Sequence, residues 1–227
     1  MTTGGAAAAT PQEVSIQASD GVTLACGLVE PDGTPPEGGW PGLLLFHGLG
    51  GTHSEMEQAA TQVFAPAGFA SLACDARGEG ASGGVFGLDG RRDVQDVREL
   101  FAWLANRPEV SDTQIGGVGL SLGGGLVWNA AAAGVPFKAI VPAITWTNLA
   151  AALAPRGVPR TGLLAFLAQK VPLDRWDPEL AAARDALLGG TVTPAVTTSA
   201  RVRSVAGMLP RLDVPTLLVQ GRHDFLF

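Results

Sequence analysis

The chain has no tyrosine, two cysteines and three histidines in 227 residues, and only 16% of its residues are charged. Two cysteines cannot build a disulfide framework, and their spacing fits no metal-ligand pattern. Cys26 and Cys74 both lie in apolar, strand-like stretches. They read as two buried thiols; a disulfide between them is open, but nothing in the sequence requires one. Basic clusters are also missing, and the net charge of -6 argues against a nucleic-acid surface. No apolar run approaches the length of a membrane-spanning helix, so no membrane partner is expected. The first ten residues carry neither the cationic start nor the long apolar core of a secretory signal. They read as part of a flexible tail over 1–12, and a cytoplasmic location is expected.

What is present is a globular protein. Apolar residues make up 46% of the chain, and its length suffices for one sizeable core with a small insertion. Two strands, Val14 to Ala18 and Val22 to Val29, are expected around a turn at Asp20-Gly21. Gly42 to Phe46 is a continuous apolar run of the kind found in buried parallel strands. Ser54 with Glu57 has the form of a capping box, opening a helix that Gly68 ends. Phe69 to Cys74 is the next strand. Val94, Val97, Phe101 and Leu104 recur at helical spacing, which predicts a helix over 93–105. Ile115 to Gly119 and Phe137 to Ile144 are further strands. From 146 to 212 strands give way to helices: Asn148 to Ala154, Gly162 to Gln169, Pro178 to Leu188 capped by Asp177, and a further one through Arg201 to Met208. Val214 to Gln220 then reads as a strand again. Alternating strands and helices predict a mostly parallel sheet covered on both faces. The expected organisation is a tail (1–12), an α/β core (13–145), a helical cap insertion (146–212) and a continuation of the core (213–227).

One motif carries chemistry. Gly119-Leu120-Ser121-Leu122-Gly123 stands between an apolar strand and an apolar helical stretch. A serine on so sharp a turn is forced into a strained backbone conformation, and only small residues two positions away let strand and helix pass closely. Ser121 is therefore the candidate nucleophile. Its hydroxyl needs a base, and the base needs an orienting acid. The oxyanion formed on attack needs backbone N–H donors. Leu122, directly after the serine, is one. The loop Phe46-His47-Gly48-Leu49-Gly50-Gly51 follows an early strand, and Leu49 is the choice there. His47 is expected to brace that loop. Asp224 follows the apolar strand Leu217 to Gln220 and the turn Gly221-Arg222-His223, and is the candidate acid. Trp146, just after a strand, is a candidate for the substrate pocket. Asp75 and Arg77 are expected to hold their loop, and His53 to lie at the surface or cap a helix.

Taken together, His47-Gly48-Leu49-Gly50-Gly51, Asp75-Ala76-Arg77-Gly78-Glu79-Gly80-Ala81-Ser82-Gly83, the Ser121 motif and Gly221-Arg222-His223-Asp224 resemble the α/β-hydrolases. The Asp75–Gly83 stretch, and Phe137 to Ala143 followed by a helical insertion, look most like the acyl-esterase group, which includes cocaine esterase and Xaa-Pro dipeptidyl peptidases. The resemblance covers about residues 13–227. It implies the α/β-hydrolase fold and a chain order in which the acid follows the serine and a histidine follows the acid. Two departures stand out. The group's oxyanion-hole tyrosine has no counterpart here, so backbone N–H groups must serve. The triad histidine is also missing, because the chain ends three residues after Asp224. The fold is thus expected to be C-terminally incomplete, with the remaining C-terminal segment of the same protein as a partner.

The expected function is a serine hydrolase that cleaves carboxylic esters through an acyl-enzyme, with a small-molecule ester or amide as substrate and no cofactor or metal. An amidase or Xaa-Pro dipeptidyl-peptidase-like hydrolase is the alternative within the class. The missing histidine also motivates a non-catalytic protein of the same fold that binds a ligand or partner.

Overall fold

The computed structural model describes residues 9–224 and 226. A six-stranded sheet forms its centre, in the order β1-β2-β4-β3-β5-β6. Strands β1 (Gln12–Gln17) and β2 (Thr23–Val29) form an antiparallel hairpin. Its turn places Gly21 at φ +85°, with Asp20 Oδ1 accepting the Val22 N–H. β2 runs antiparallel to β4 (Ala70–Cys74). The rest is parallel: β3 (Trp40–Phe46) lies between β4 and β5 (Val110–Leu120), and β6 (Ile140–Ala143) follows β5. The apolar run of β3 is buried on both faces, as a central parallel strand must be.

Helix α1 (His53–Ala59) continues into a wider turn over Ala60–Phe64; α2 (Arg91–Ala105) and α3 (Leu122–Ala132) are longer. Beyond β6 come α4 (Leu149–Leu153), α5 (Thr161–Ala168), α6 (Pro178–Leu188) and α7 (Pro194–Val202). Asp177 caps α6 as expected, accepting from the Glu179 and Leu180 N–H groups. No helix among the described residues is long and apolar enough to cross a membrane.

Register explains where function collects. Phe46 pairs with both Cys74 and Gly119, and Leu120 pairs with Ala143. The parallel strands therefore end level. The residues that follow them, His47, Asp75, Ser121 and Ile144, emerge along one carboxyl edge, where open α/β sheets bind ligands.

Several expectations need correction. Cys26 and Cys74 are not two thiols. They are directly paired in the β2–β4 register and form a disulfide. The tail ends sooner than residue 12, because Ala9 joins a buried apolar cluster with Val29, Leu43 and Leu45 and Gln12 already belongs to β1; residues 1–8 lie outside the described residues. Thr52, not Ser54, precedes α1, and its side chain makes no cap bond. Asp75 Oδ1 instead accepts the His53 N–H at 2.6 Å, a cap supplied by another element. No helix spans Arg201–Met208. The chain leaves α7 at Val202, and the Val205 and Ala206 N–H groups both bond Thr147 O. Finally, the 214–220 segment is not a full strand. It runs parallel to β6 through the bridges Ile140–Thr216 and Ala143–Val219, and Leu217, Leu218 and Val219 stay exposed. Of the expected end Phe225-Leu226-Phe227, residues 225 and 227 lie outside the described residues.

The disulfide gives a first prediction. It closes a span of 48 residues, and loop-closure entropy on that scale contributes about 2–4 kcal/mol. Replacing both cysteines by alanine should lower stability by that amount, read from urea unfolding. Thiol titration of the denatured, unreduced chain should find no free thiol.

Candidate active site

Ser121 sits between β5 and α3 with φ +54° and ψ -111°. This is strained backbone for a residue with a Cβ, held by surrounding contacts. The Ser121 N–H bonds Ala143 O, and Ser121 O accepts from the Gly125 N–H. The Gly123 N–H bonds His47 O, tying the elbow to the end of β3. The glycines are required by space. A Cβ on Gly119 would meet the Gly123 carbonyl, and one on Gly123 would meet the Phe46 carbonyl. The strain the motif implies is thus built into the fold.

The loop after β3 stands beside the serine. A Cβ on Gly48 would lie 3.5 Å from Ser121 Cβ. The Leu49 N–H makes none of the loop's backbone hydrogen bonds, which run from Gly51 to Gly48 and tie Gly123 to His47. Leu122 opens α3, where the first N–H groups have no intrahelical partner. Two features set the loop's shape. His47 is buried, with Nδ1 against Gly48 O at 2.7 Å and Nε2 accepting the Ala76 N–H at 2.9 Å. Burial, only partly opposed by the Gly48 hydrogen bond, holds its pKa below the usual value. His47 therefore braces the loop. Glu79 Oε1 accepts the Gly50 N–H at 2.7 Å from the other side.

Ser121, Leu49, Leu122 and Trp146 line one cavity of about 300 Å³. Phe86, Leu88, Leu149, Leu153, Leu164 and Trp176 add to its wall, much of it from α4, α5, α6 and α7. Trp146 is also anchored, its Nε1 donating to Arg203 O at 2.8 Å. Among the described residues, Arg184 is the one charged residue on the lining. Asp224 does not line this cavity. It lies on the turn after the 214–220 segment, accepting from Gln220 Nε2 at 2.9 Å and from the Leu226 N–H at 2.8 Å.

His53 departs from expectation. It is buried, not at the surface, and Nδ1 meets Asp75 Oδ1 at 2.8 Å. Burial would lower its pKa, but the Asp75 hydrogen bond and the charges of Asp75, Glu57 and Glu13 raise it. Asp75 also accepts the Ala81 N–H, and Arg77 pairs with Asp96 and Asp20. Both residues hold their loop, as expected.

Sequence reasoning missed a set of buried acids behind the site. Burial pushes Glu79 up to about 7 despite the Gly50 hydrogen bond that lowers it. Burial likewise pushes Asp93, whose Oδ2 accepts the Gly90 N–H at the start of α2, up to about 7. Asp89 lies against Gly125 and Trp146, and burial raises it well above the ordinary value. Glu79 could have been noticed inside the Asp75–Gly83 motif. Asp89 and Asp93 carry no pattern that marks burial.

These shifts fix the sign of a pH effect. Unfolded, the Glu79 carboxyl loses its proton near the ordinary value of 4.5; folded, it keeps it to about 7. The native state binds more protons in between, so stability falls as pH rises through that window and levels above it. The gap corresponds to roughly 3 kcal/mol for Glu79. Glu79→Gln should shrink the loss seen in urea unfolding between about pH 5 and pH 8 by up to that order. An unchanged pH dependence would show that Glu79 ionises normally in the native state.

Comparison with known proteins gives the following. The sequence pattern of the family described as X-Pro dipeptidyl-peptidase (S15 family) matches residues 20–227. An uncharacterized 31.7 kDa protein in the traX-finO intergenic region of Escherichia coli is 33% identical over 116 residues, covering 50% of this chain and 41% of that protein. This chain thus spans less than half of that relative through the match. A CocE/NonD family hydrolase from Staphylococcus aureus superimposes with a TM-score of 0.70 at 19% identity, over 90% of this chain and 39% of that one. A hydrolase from Pseudomonas aeruginosa PA01 does so at 0.60 with 27% identity, over 95% and 82%. The architecture is the α/β-hydrolase fold.

Proposed function

The chain belongs to the X-Pro dipeptidyl-peptidase (S15) family, and from that premise we propose that it is a serine hydrolase cleaving carboxylic esters of apolar acids. The observation that carries the reading is Ser121, strained at φ +54° beside Gly48 and open to an apolar cavity. Ser121 Oγ attacks the acyl carbon as a base removes its proton. The tetrahedral oxyanion accepts from the Leu49 and Leu122 N–H groups. The alcohol leaves with a proton returned by the base, and water hydrolyses the acyl-enzyme. Asp224 orients the histidine that serves as base. The helices of 146–212 act as a cap that shapes the acyl pocket and keeps water from it.

The cavity favours an ester over the dipeptide amide named by the family. A dipeptidyl peptidase must accept a cationic amino terminus. Among the described residues no carboxylate lines the cavity, and its one charge is the cation of Arg184. Turnover of acyl esters of increasing chain length should be compared with that of Xaa-Pro amides, using a form of the protein that carries the base. Preference for apolar esters is expected. Preference for the Xaa-Pro amide would replace this reading with the peptidase one. Failure of Ser121 to acylate at all would favour a ligand-binding protein.

A further inference from the structure

A cluster that the hydrolytic chemistry does not use lies where α1 meets the β1–β2 hairpin. His53 opens α1, and Glu57 stands one turn later on the same face. Glu13 comes from β1, paired with Gly27 of β2. His53 Nε2 lies 3.3 Å from Glu13 Oε2 and 3.8 Å from Glu57 Oε1. One ligand atom from each of the three residues falls within 4.8 Å of the others. Four ligands arranged tetrahedrally at zinc bond lengths stand about 3.4 Å apart, so these separations need little adjustment.

Two further observations point to a ligand. The Glu57 side chain is only 9% exposed, and its Oε1 has no hydrogen-bond partner. A buried carboxylate oxygen that accepts no hydrogen bond is costly unless a proton or a cation meets it more closely than His53 does at 3.8 Å. It is also deliberately placed, because a Cβ on Gly27 would occupy the position of Glu57 Oε1. Second, the other nitrogen of His53 is committed, Nδ1 lying 2.8 Å from Asp75 Oδ1. That contact holds a proton on Nδ1 and points Nε2 at the two glutamates, where a metal would replace the proton that Nε2 otherwise shares with Glu13. A carboxylate behind a ligating histidine is the usual support of a metal site. Charge agrees: three carboxylates surround one imidazole, and a divalent cation offsets more of that charge than an imidazolium does.

We propose that His53 Nε2, Glu57 and Glu13 bind a divalent transition metal, with Asp75 as the supporting carboxylate. One imidazole and two carboxylates suit zinc, and water completes the fourth position from the solvent side, where Glu13 is exposed. Such a metal ties the hairpin to α1 and to the loop carrying Asp75. It is a structural clamp and takes no part in the attack by Ser121, so it stands independently of the proposed hydrolysis.

The test is calorimetric titration of the 227-residue chain with zinc chloride, followed by the visible spectrum of the cobalt(II) form. One equivalent of zinc, a tetrahedral cobalt spectrum and a melting temperature that rises with zinc are expected. Glu13→Ala removes an exposed strand residue and should leave folding intact while weakening zinc at least about tenfold. Glu57→Gln should do the same, and His223→Asn, at a remote exposed turn, should change nothing. The proposal is overturned if the chain takes up no stoichiometric zinc, if Glu13→Ala binds zinc as tightly as the parent, or if His223→Asn removes the binding. Should Glu57→Gln fail to fold, the Glu13→Ala titration decides.

Discussion

The 227-residue chain alone is expected to hydrolyse esters at a thousandth or less of the rate of a longer form that supplies a histidine to Asp224 and Ser121. The reason lies in the three histidines the chain contains. Both ring nitrogens of His47 are engaged, with Gly48 O and the Ala76 N–H. His53 faces Asp75 and Glu13. His223 lies on an exposed turn beside Asp224, whose carboxylate accepts from Gln220 and from the Leu226 N–H. None of the three lines the cavity at Ser121. Members of a catalytic triad act as a unit, and losing the base leaves only the roughly 10³–10⁴-fold that binding and the oxyanion hole supply over water. Ester turnover and fluorophosphonate labelling of both forms measure the difference, and Ser121→Ala should abolish it. Equal rates in the two forms would refute the missing-base argument and make His53→Asn and His47→Asn the next variants to assay.

Gly123→Ala is expected to be strongly destabilising. The added Cβ would run into the carbonyl and Cβ of Phe46, where α3 crosses the end of β3. Backbone cannot yield as a flexible side chain can, so the cost should reach about 3–5 kcal/mol, the range reserved for overpacking and strain at special positions. Gly119→Ala should behave alike, since its Cβ would meet the backbone of Gly123 and Gly124. Gly162→Ala in α5 is the contrast. Nothing lies within 4 Å of its Cβ position, and alanine should be neutral or stabilising by up to about 1 kcal/mol. Urea unfolding of the three variants measures both signs. A Gly123→Ala protein as stable as the parent would mean that α3 can move away from β3 at no cost.

The parts legible in the sequence are those whose cause is local. Glycines two residues either side of Ser121 are a steric demand of one turn, so the elbow and its strain could be read directly, and so could the Leu122 N–H at the start of α3. Apolar runs such as Gly42 to Phe46 identify buried parallel strands because burial on both faces leaves no alternation. Asp177 before Pro178 specifies its own helix start. Tertiary structure decided whatever depends on a distant partner. Asp75, from β4's far end, caps α1 in place of Ser54 and buries His53, because a carboxylate 22 positions away reaches that N–H. Cys26 meets Cys74 because β2 and β4 are antiparallel neighbours across a span of 48 residues. The pKa values of Glu79, Asp89 and Asp93 are raised because packing removes water from them, and composition carries no sign of that. The 214–220 segment has a strand's composition, yet pairs only through isolated bridges beside β6. A strand is completed by its neighbours, and its own residues cannot supply them.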